Sequence, residues 1–248
     1  MSQDFKPTYY PQEYRNFYSA FDNYNVKLIE VAKPGLDFEP ARILDLACGI
    51  GLSSLALRAN FANAHILGID IAPDMIELAK SSVQDSNIEF RCSETETMLR
   101  DIPKETMDMV FVKSAYHHFE QQITLSHLKE VLNKNGVIAI AERTSRSARS
   151  YPLPDIANRY WADYFGLPRE KQRFTTVESL KLAVCSYGEY VEIAFEDYCQ
   201  ALKNRQLFGT WALKQEVIDE WLTEQSAKKL EAFTVFEEFW MYLYKQAK

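Results

Sequence analysis

The chain has 248 residues, 47% hydrophobic and 25% charged, with a formal net charge of −7. That balance suits a globular α/β domain with a sizeable core, and it disfavours nucleic acid as a partner, which needs a basic face to neutralise phosphates. No apolar run is long enough to span a bilayer, the N-terminus lacks a signal-peptide stretch, and Cys48, Cys92, Cys185 and Cys199 fall at no metal-ligand spacing. The expectation is a cytoplasmic protein with reduced thiols, no metal and no membrane partner.

The first 24 residues are rich in aromatics, among them Tyr9, Tyr10, Tyr14, Phe17, Tyr18, Phe21 and Tyr24. From Pro11 the apolar residues recur three and four apart, which predicts amphipathic helix to about residue 31, broken at Pro34-Gly35. Alternation then begins. Residues 43–47 form a short apolar run, a buried strand, and 52–59 a helix. Residues 66–69 form a second strand ending at Asp70. Pro73 opens a helix that runs to about Val83. Strands follow at 88–92 and 109–112. A helix over 123–132 stops at Asn135-Gly136, and a fifth strand occupies 137–141. Strands separated by helix-length segments make βαβ units and a parallel sheet. Beyond residue 142 the spacing predicts a helical insertion to about 175, a helix over 177–184, a turn at Gly188 and a strand over 191–198. A helix over 215–230 and a final strand over 236–244 follow.

The informative stretch is Ile43-Leu44-Asp45-Leu46-Ala47-Cys48-Gly49-Ile50-Gly51-Leu52-Ser53-Ser54. A strand runs into a Gly-x-Gly turn and a helix follows, so the backbone can bend sharply and leave room for a ligand. Asp70, about 20 residues on and at the end of the next strand, stands where a carboxylate reaches a ribose diol. The combination points to a nucleoside-bearing ligand. A dinucleotide pyrophosphate needs a bare helix N-terminus, and Asp45 at the strand–loop junction would repel it. The same charge would attract an ammonium or a sulfonium, and S-adenosylmethionine carries both. The bland alternative for Asp45 is a loop-capping carboxylate.

The segment from Asp45 to Gly51 resembles the first motif of class I S-adenosylmethionine-dependent methyltransferases. Residues 68–75 are similar to their second motif, 90–96 to the third, 108–119 to the fourth, and 128–136 to the helix and turn before strand five. The resemblance implies an α/β, Rossmann-like fold. It would have a seven-stranded, mostly parallel sheet with helices on both faces, an N-terminal helical lid and a helical insertion after strand five. The implied organisation is a cap over 1–37, a donor-binding core over 38–142, a substrate cap over 143–175 and sheet-completing elements over 176–248. By the same resemblance Asp45, Ala47, Gly49 and Gly51 hold the methionine end of S-adenosylmethionine, Asp70 the ribose, and Ile71 and Met75 the adenine ring. Glu94 and Thr95 meet the adenine edge. Glu94 stands where the family often has Asp. Lys113 and Ser114 line the floor beneath the methyl group. A cation beside a sulfonium is unfavourable, so Lys113 is expected to point away or meet an acidic group.

For chemistry, His117 and His118 are candidate bases, since imidazole titrates near neutral pH. A purely structural or donor-contacting role, for His118 above all, is the alternative. Tyr10 is a candidate for both catalysis and donor contact, because ring faces attract a sulfonium. Tyr9 joins Tyr10 in a lid, whereas Tyr14, Tyr18 and the neighbouring aromatics could equally pack a helix on the sheet. Tyr116 reads as a pocket wall. The insertion interleaves Arg143, Arg146 and Arg149 with Tyr160 and Tyr164. That mixture suits a carboxylated or phosphorylated, partly flat molecule or, equally, a solvated surface. The expected activity is methyl transfer to an O, N or C atom of a small molecule, by a monomer or homodimer. A tRNA- or protein-modifying enzyme, a nucleotide-dependent oxidoreductase and a non-catalytic binder are the alternatives.

Overall fold

Strong apolar runs at regular spacing build the sheet, and helices fill the intervals. The computed structural model describes residues 10–155, 180–207, 210 and 213–246. In chain order the elements are α1 Pro11–Ser19, α2 Asp22–Ala32, β1 Arg42–Leu46, α3 Leu52–Asn60, β2 His65–Asp70, α4 Pro73–Ser82, β3 Ile88–Cys92 and α5 Thr95–Asp101. There follow β4 Met107–Lys113, α6 Gln121–Val131, β5 Leu132–Arg143, α7 Ser145–Ser150, β6 Leu180–Ala194, α8 Phe195–Lys203, α9 Gln215–Ala227 and β7 Ala232–Gln246. The seven strands form one sheet in the order β3-β2-β1-β4-β5-β7-β6. The first five run parallel, and β7 runs antiparallel to both β5 and β6.

Because side chains alternate across a strand, each strand feeds two cores. On one face Ile43, Met109, Phe111, Ala139, Ala141, Phe239 and Met241 pack against α1, α2, α3, α8 and α9. On the other, Leu44, Leu46, Val110, Val112, Ile138 and Ile140 pack against α5 and α6. The strand order reverses between β1 and β4, so the crevice beyond their carboxyl ends is where an open α/β sheet places a ligand.

The N-terminal helices belong to the first core. Phe17 is fully buried, and Phe21, Tyr24, Leu28 and Ile29 are at most 2% exposed. A short break after Ser19 divides what the periodicity predicts as one helix.

Three predicted elements after residue 175 come out differently. The segment predicted as helix over 177–184 is strand from Leu180, because it pairs with β7 along its whole length. Gly188 sits inside that strand opposite Glu238, and no turn forms there. A Cβ on it would lie 2.8 Å from the Phe236 ring, so this glycine gives room to a neighbour's side chain. The predicted strand over 191–198 ends at Ala194. Phe195, Tyr198, Cys199 and Leu202 fall at helical spacing and form the inward face of α8. The insertion is described only through α7 and residues 151–155, so most of the predicted substrate cap, with Tyr160 and Tyr164, lies outside the described residues, as does Tyr9.

Candidate active site

The loop after β1 is shaped by three left-handed residues, Ala47 (φ 58°), Gly49 (φ 54°) and Gly51 (φ 83°). The two glycines serve different ends. A Cβ on Gly51 would stand 2.7 Å from the Phe90 ring, and one on Gly68 of β2 would meet the same ring at 2.7 Å. Phe90 therefore props the loop from below, and both positions must lack a side chain for it to do so. A Cβ on Gly49 would meet nothing within 4 Å. Its bareness faces open space, where a ligand can come against the backbone.

Asp70 fixes the loop from the side. One carboxylate oxygen accepts from Gly49 N–H at 2.8 Å and the other from Ala72 N–H at 2.9 Å. The sequence pattern assigns this residue to a ribose. The structure also gives it the work of joining the two ligand-binding loops, which the spacing alone does not reveal.

Asp45 is 1% exposed on the inward side of β1. Ser53 and Ser54, in the first turn of α3, both donate to its Oδ2, at 2.7 and 2.6 Å. Its Oδ1 is buried and has no hydrogen-bond partner. Burial pushes the carboxyl up to about 6, against the two serine hydroxyls that hold it down. Across the crevice, Ser114 ends β4 in a left-handed conformation (φ 56°), and its Oγ is likewise buried and without a partner. Two strained strand ends side by side, each with an unsatisfied polar atom, mark a binding position. A cationic ligand passing over an open Gly49 fits this set. Asp45 supplies a carboxylate with a free oxygen, Ser114 a free hydroxyl, and Asp70 a carboxylate one strand away.

The remaining expected donor contacts spread unevenly. Ile71 is 65% exposed just beyond β2, an apolar side chain offered at the rim. Met75 is buried on the inward side of α4. Glu94 is exposed at the start of α5, with Thr95 its first residue. Tyr10 is 45% exposed at the head of α1, its carbonyl accepting from Gln206 Nε2 at 3.2 Å.

Lys113 reaches toward β7. Its ammonium lies 4.6 Å over the Phe239 ring on β7. Burial pulls it down to about 8, with Glu237 and Asp45 favouring its charge and Arg143 opposing it. Lys113 keeps partial solvent exposure all the same.

Arg143, predicted to meet substrate, is committed to the protein. It is 7% exposed, and its Nε and Nη2 bind Glu237 Oε1 at 2.8 and 2.7 Å. Ser147 Oγ and Tyr151 O–H donate to the other oxygen of Glu237, each at 2.8 Å. Burial raises Tyr18, which also hydrogen-bonds Arg143 and Tyr14. Arg146 is exposed and stacks on Phe236 at 4.1 Å. The side chain of Arg149 lies outside the described residues. The basic character of this segment is thus spent, where described, on a buried ion pair and a ring stack. Glu237, the residue around which the pair is built, was not singled out by sequence because it lies far along the chain from Arg143.

On the opposite face of the sheet, Glu142 (6% exposed) receives His117. Nδ1 lies 3.2 Å from each carboxylate oxygen, and the backbone N–H donates at 3.3 Å. His118 packs on His117 at 4.0 Å between ring centres and is lowered by burial and by its neighbour, partly offset by Glu142. Tyr116 is buried behind them as a wall, its hydroxyl raised by burial. Among the described residues no group of three or more His, Cys, Asp or Glu forms a metal site, and no helix is long and apolar enough to cross a membrane.

The fold and the loop chemistry define a Rossmann-like nucleoside-binding enzyme with a site for a cationic donor. The matches to known proteins agree. Residues 43–136 match the methyltransferase-domain family. The demethylmenaquinone methyltransferase of Thermus thermophilus is 30% identical over 167 residues, 62% of this chain and 76% of its own. The trans-aconitate 2-methyltransferase of Escherichia coli is 32% identical over 100 residues, 40% of this chain and 37% of its own. Phosphoethanolamine N-methyltransferase 2 of Haemonchus contortus, solved with phosphomonomethylethanolamine and S-adenosylhomocysteine, shares the fold. Its TM-score is 0.56 at 12% identity, over 97% of this chain and 59% of that one. The chain belongs to the class I S-adenosylmethionine-dependent methyltransferases. It spans about three quarters of the first of these curated relatives and little more than a third of the second.

Proposed function

We propose that the acceptor is a small molecule that docks over the carboxyl ends of β4 and β5, beside α1. The observation that carries this reading is the pair of unsatisfied buried atoms, Asp45 Oδ1 and Ser114 Oγ, on adjoining strand ends. They support a donor lying across the ends of β1 and β4, which leaves the β4–β5 side for the acceptor. Two relatives are named for small acceptors, demethylmenaquinone and trans-aconitate.

When bound, S-adenosylmethionine supplies a methyl carbon made electrophilic by its sulfonium. The chain's own residues do the rest. Asp45 and the bare Gly49 backbone hold the cationic end, Asp70 the sugar, and Ile71 the flat base at the rim. Holding two reactants on one axis contributes on the order of 7–11 kcal/mol. The aromatic α1, anchored through Phe17 and Tyr18, keeps water from the acceptor side, with Tyr10 at its exposed end. Where an acceptor atom that carries a proton reaches over the end of β4 to the far face, His117 takes it. Glu142 occupies the Nδ1 side and leaves Nε2 as the ring's remaining base.

The test is transfer of label from methyl-tritiated S-adenosylmethionine by the purified protein to an undesalted cell extract, followed by size fractionation and separation of low-mass products from unreacted donor. Label is expected in the low-mass fraction. Label confined to RNA or protein would overturn the small-molecule reading.

A further inference from the structure

Five charged side chains share one face of the sheet at its carboxyl end: Asp70 on β2, Asp45 on β1, Lys113 on β4, Arg143 on β5 and Glu237 on β7. Glu237 neutralises Arg143 through two contacts of 2.8 and 2.7 Å. Asp45 keeps its free oxygen for the donor. Asp45 and Asp70 both stand on the donor side. Lys113 is the one of these five whose charged group makes no described ion pair or hydrogen bond. Among the described residues no carboxylate lies within ion-pairing distance of its ammonium, although Asp45 and Glu237 both favour its charge from further off. The face of Phe239 holds it in place at 4.6 Å. A half-buried ammonium resting on a ring without an ion pair gains from an anion that completes it.

We propose that Lys113 is the anchor for a carboxylate on the acceptor, so that the substrate is a small monocarboxylic acid held by its anion while another of its atoms is presented for methylation. This rests on the acceptor docking over β4 and β5 as described above. A single ammonium without an ion pair matches a single carboxylate. Arg143 on β5 is already occupied by Glu237. Lys113 also lies a strand away from the glycine loop, which separates it from the donor's own carboxylate.

The probes are benzoate, cinnamate and hexanoate, each against its primary amide, titrated into the protein saturated with S-adenosylhomocysteine. At least one acid is expected to bind on the order of tenfold more tightly than its amide, the scale of one charge-assisted hydrogen bond. Lys113→Met keeps the stem over Phe239 and should erase that preference. Lys113→Arg should restore part of it, and both variants should bind S-adenosylhomocysteine within about twofold of the parent. No preference for any acid in the parent protein overturns the proposal, and that measurement needs no variant to fold. A tenfold loss of S-adenosylhomocysteine affinity in Lys113→Met, with the acid preference intact, also overturns it and assigns Lys113 to the donor's carboxylate. Should the parent protein fail to bind S-adenosylhomocysteine at all, the donor-site reading fails instead, which is a separate result.

Discussion

Donor binding should strengthen with rising pH and level off above about 6, because of Asp45. Its carboxyl is pushed up to about 6 by burial, with Ser53 and Ser54 opposing. A cation at the free oxygen favours the ionised form, so binding expels a proton whenever Asp45 starts protonated. At pH 5 roughly one Asp45 in ten is ionised, so donor affinity should be about tenfold weaker than at pH 7, or ~1.4 kcal/mol. The unliganded fold shows the opposite sign. A carboxyl raised from 3.8 stabilises the fold fully below about pH 4, and that contribution is lost as pH rises through 6. By neutral pH the loss is about 3 kcal/mol. Asp45→Asn should remove both dependences and weaken neutral-pH binding by roughly ten- to a hundredfold. The assay is calorimetric titration of S-adenosylmethionine and S-adenosylhomocysteine at pH 5, 6 and 7 in two buffers of different ionisation heat. His117 and His118 lie on the other face of the sheet, so the variant isolates Asp45. An affinity flat from pH 5 to 7, or the same slope in Asp45→Asn, would refute the reasoning.

The two loop glycines should fail differently. Gly51→Ala forces a methyl to within 2.7 Å of Phe90 at φ 83° and should lower stability by about 2–4 kcal/mol, read by chemical denaturation. Gly49→Ala meets no atom, so it should cost only about 1–2 kcal/mol of backbone strain, yet weaken donor binding at least tenfold. Glu237→Ala strands a buried Arg143 and should cost about 3–5 kcal/mol, while replacing Arg143 and Glu237 together by Met and Leu should recover most of it in the same melts. Phe17→Ala should cost about 3–5 kcal/mol, as for a core residue, and a loss below about 1 kcal/mol would mean that α1 is a detachable lid.

The half of the chain from β1 to β5 was legible because its signals are local. A glycine pair, an acid at a strand end and Pro73 at a helix start each act on their own neighbourhood. The second half depends on partners far away in sequence. Leu180, Ala183 and Val184 fall at helix-like spacing, and only pairing with β7 makes them strand. Gly188 carries the composition of a turn, but its place is set by the Phe236 ring. The site divides in the same way. Asp45, Gly49 and Asp70 could be found from one motif, while Glu237 acquires meaning only when the fold brings it to Arg143. Asp70 was half legible: its position predicted a sugar contact, but its bonds to Gly49 and Ala72 belong to the folded loop.

The place of β7 between β5 and β6 has a consequence for synthesis. Among the described strands, the one furthest along the sequence is an interior one, and it carries the countercharge for Arg143. Until residues 232–246 have emerged, a nascent chain leaves β5 as a bare, apolar edge and Arg143 without its acid. Such edges recruit other chains. Between the emergence of β5 and that of β7, the cell must therefore shelter a half-built sheet that waits for its interior strand.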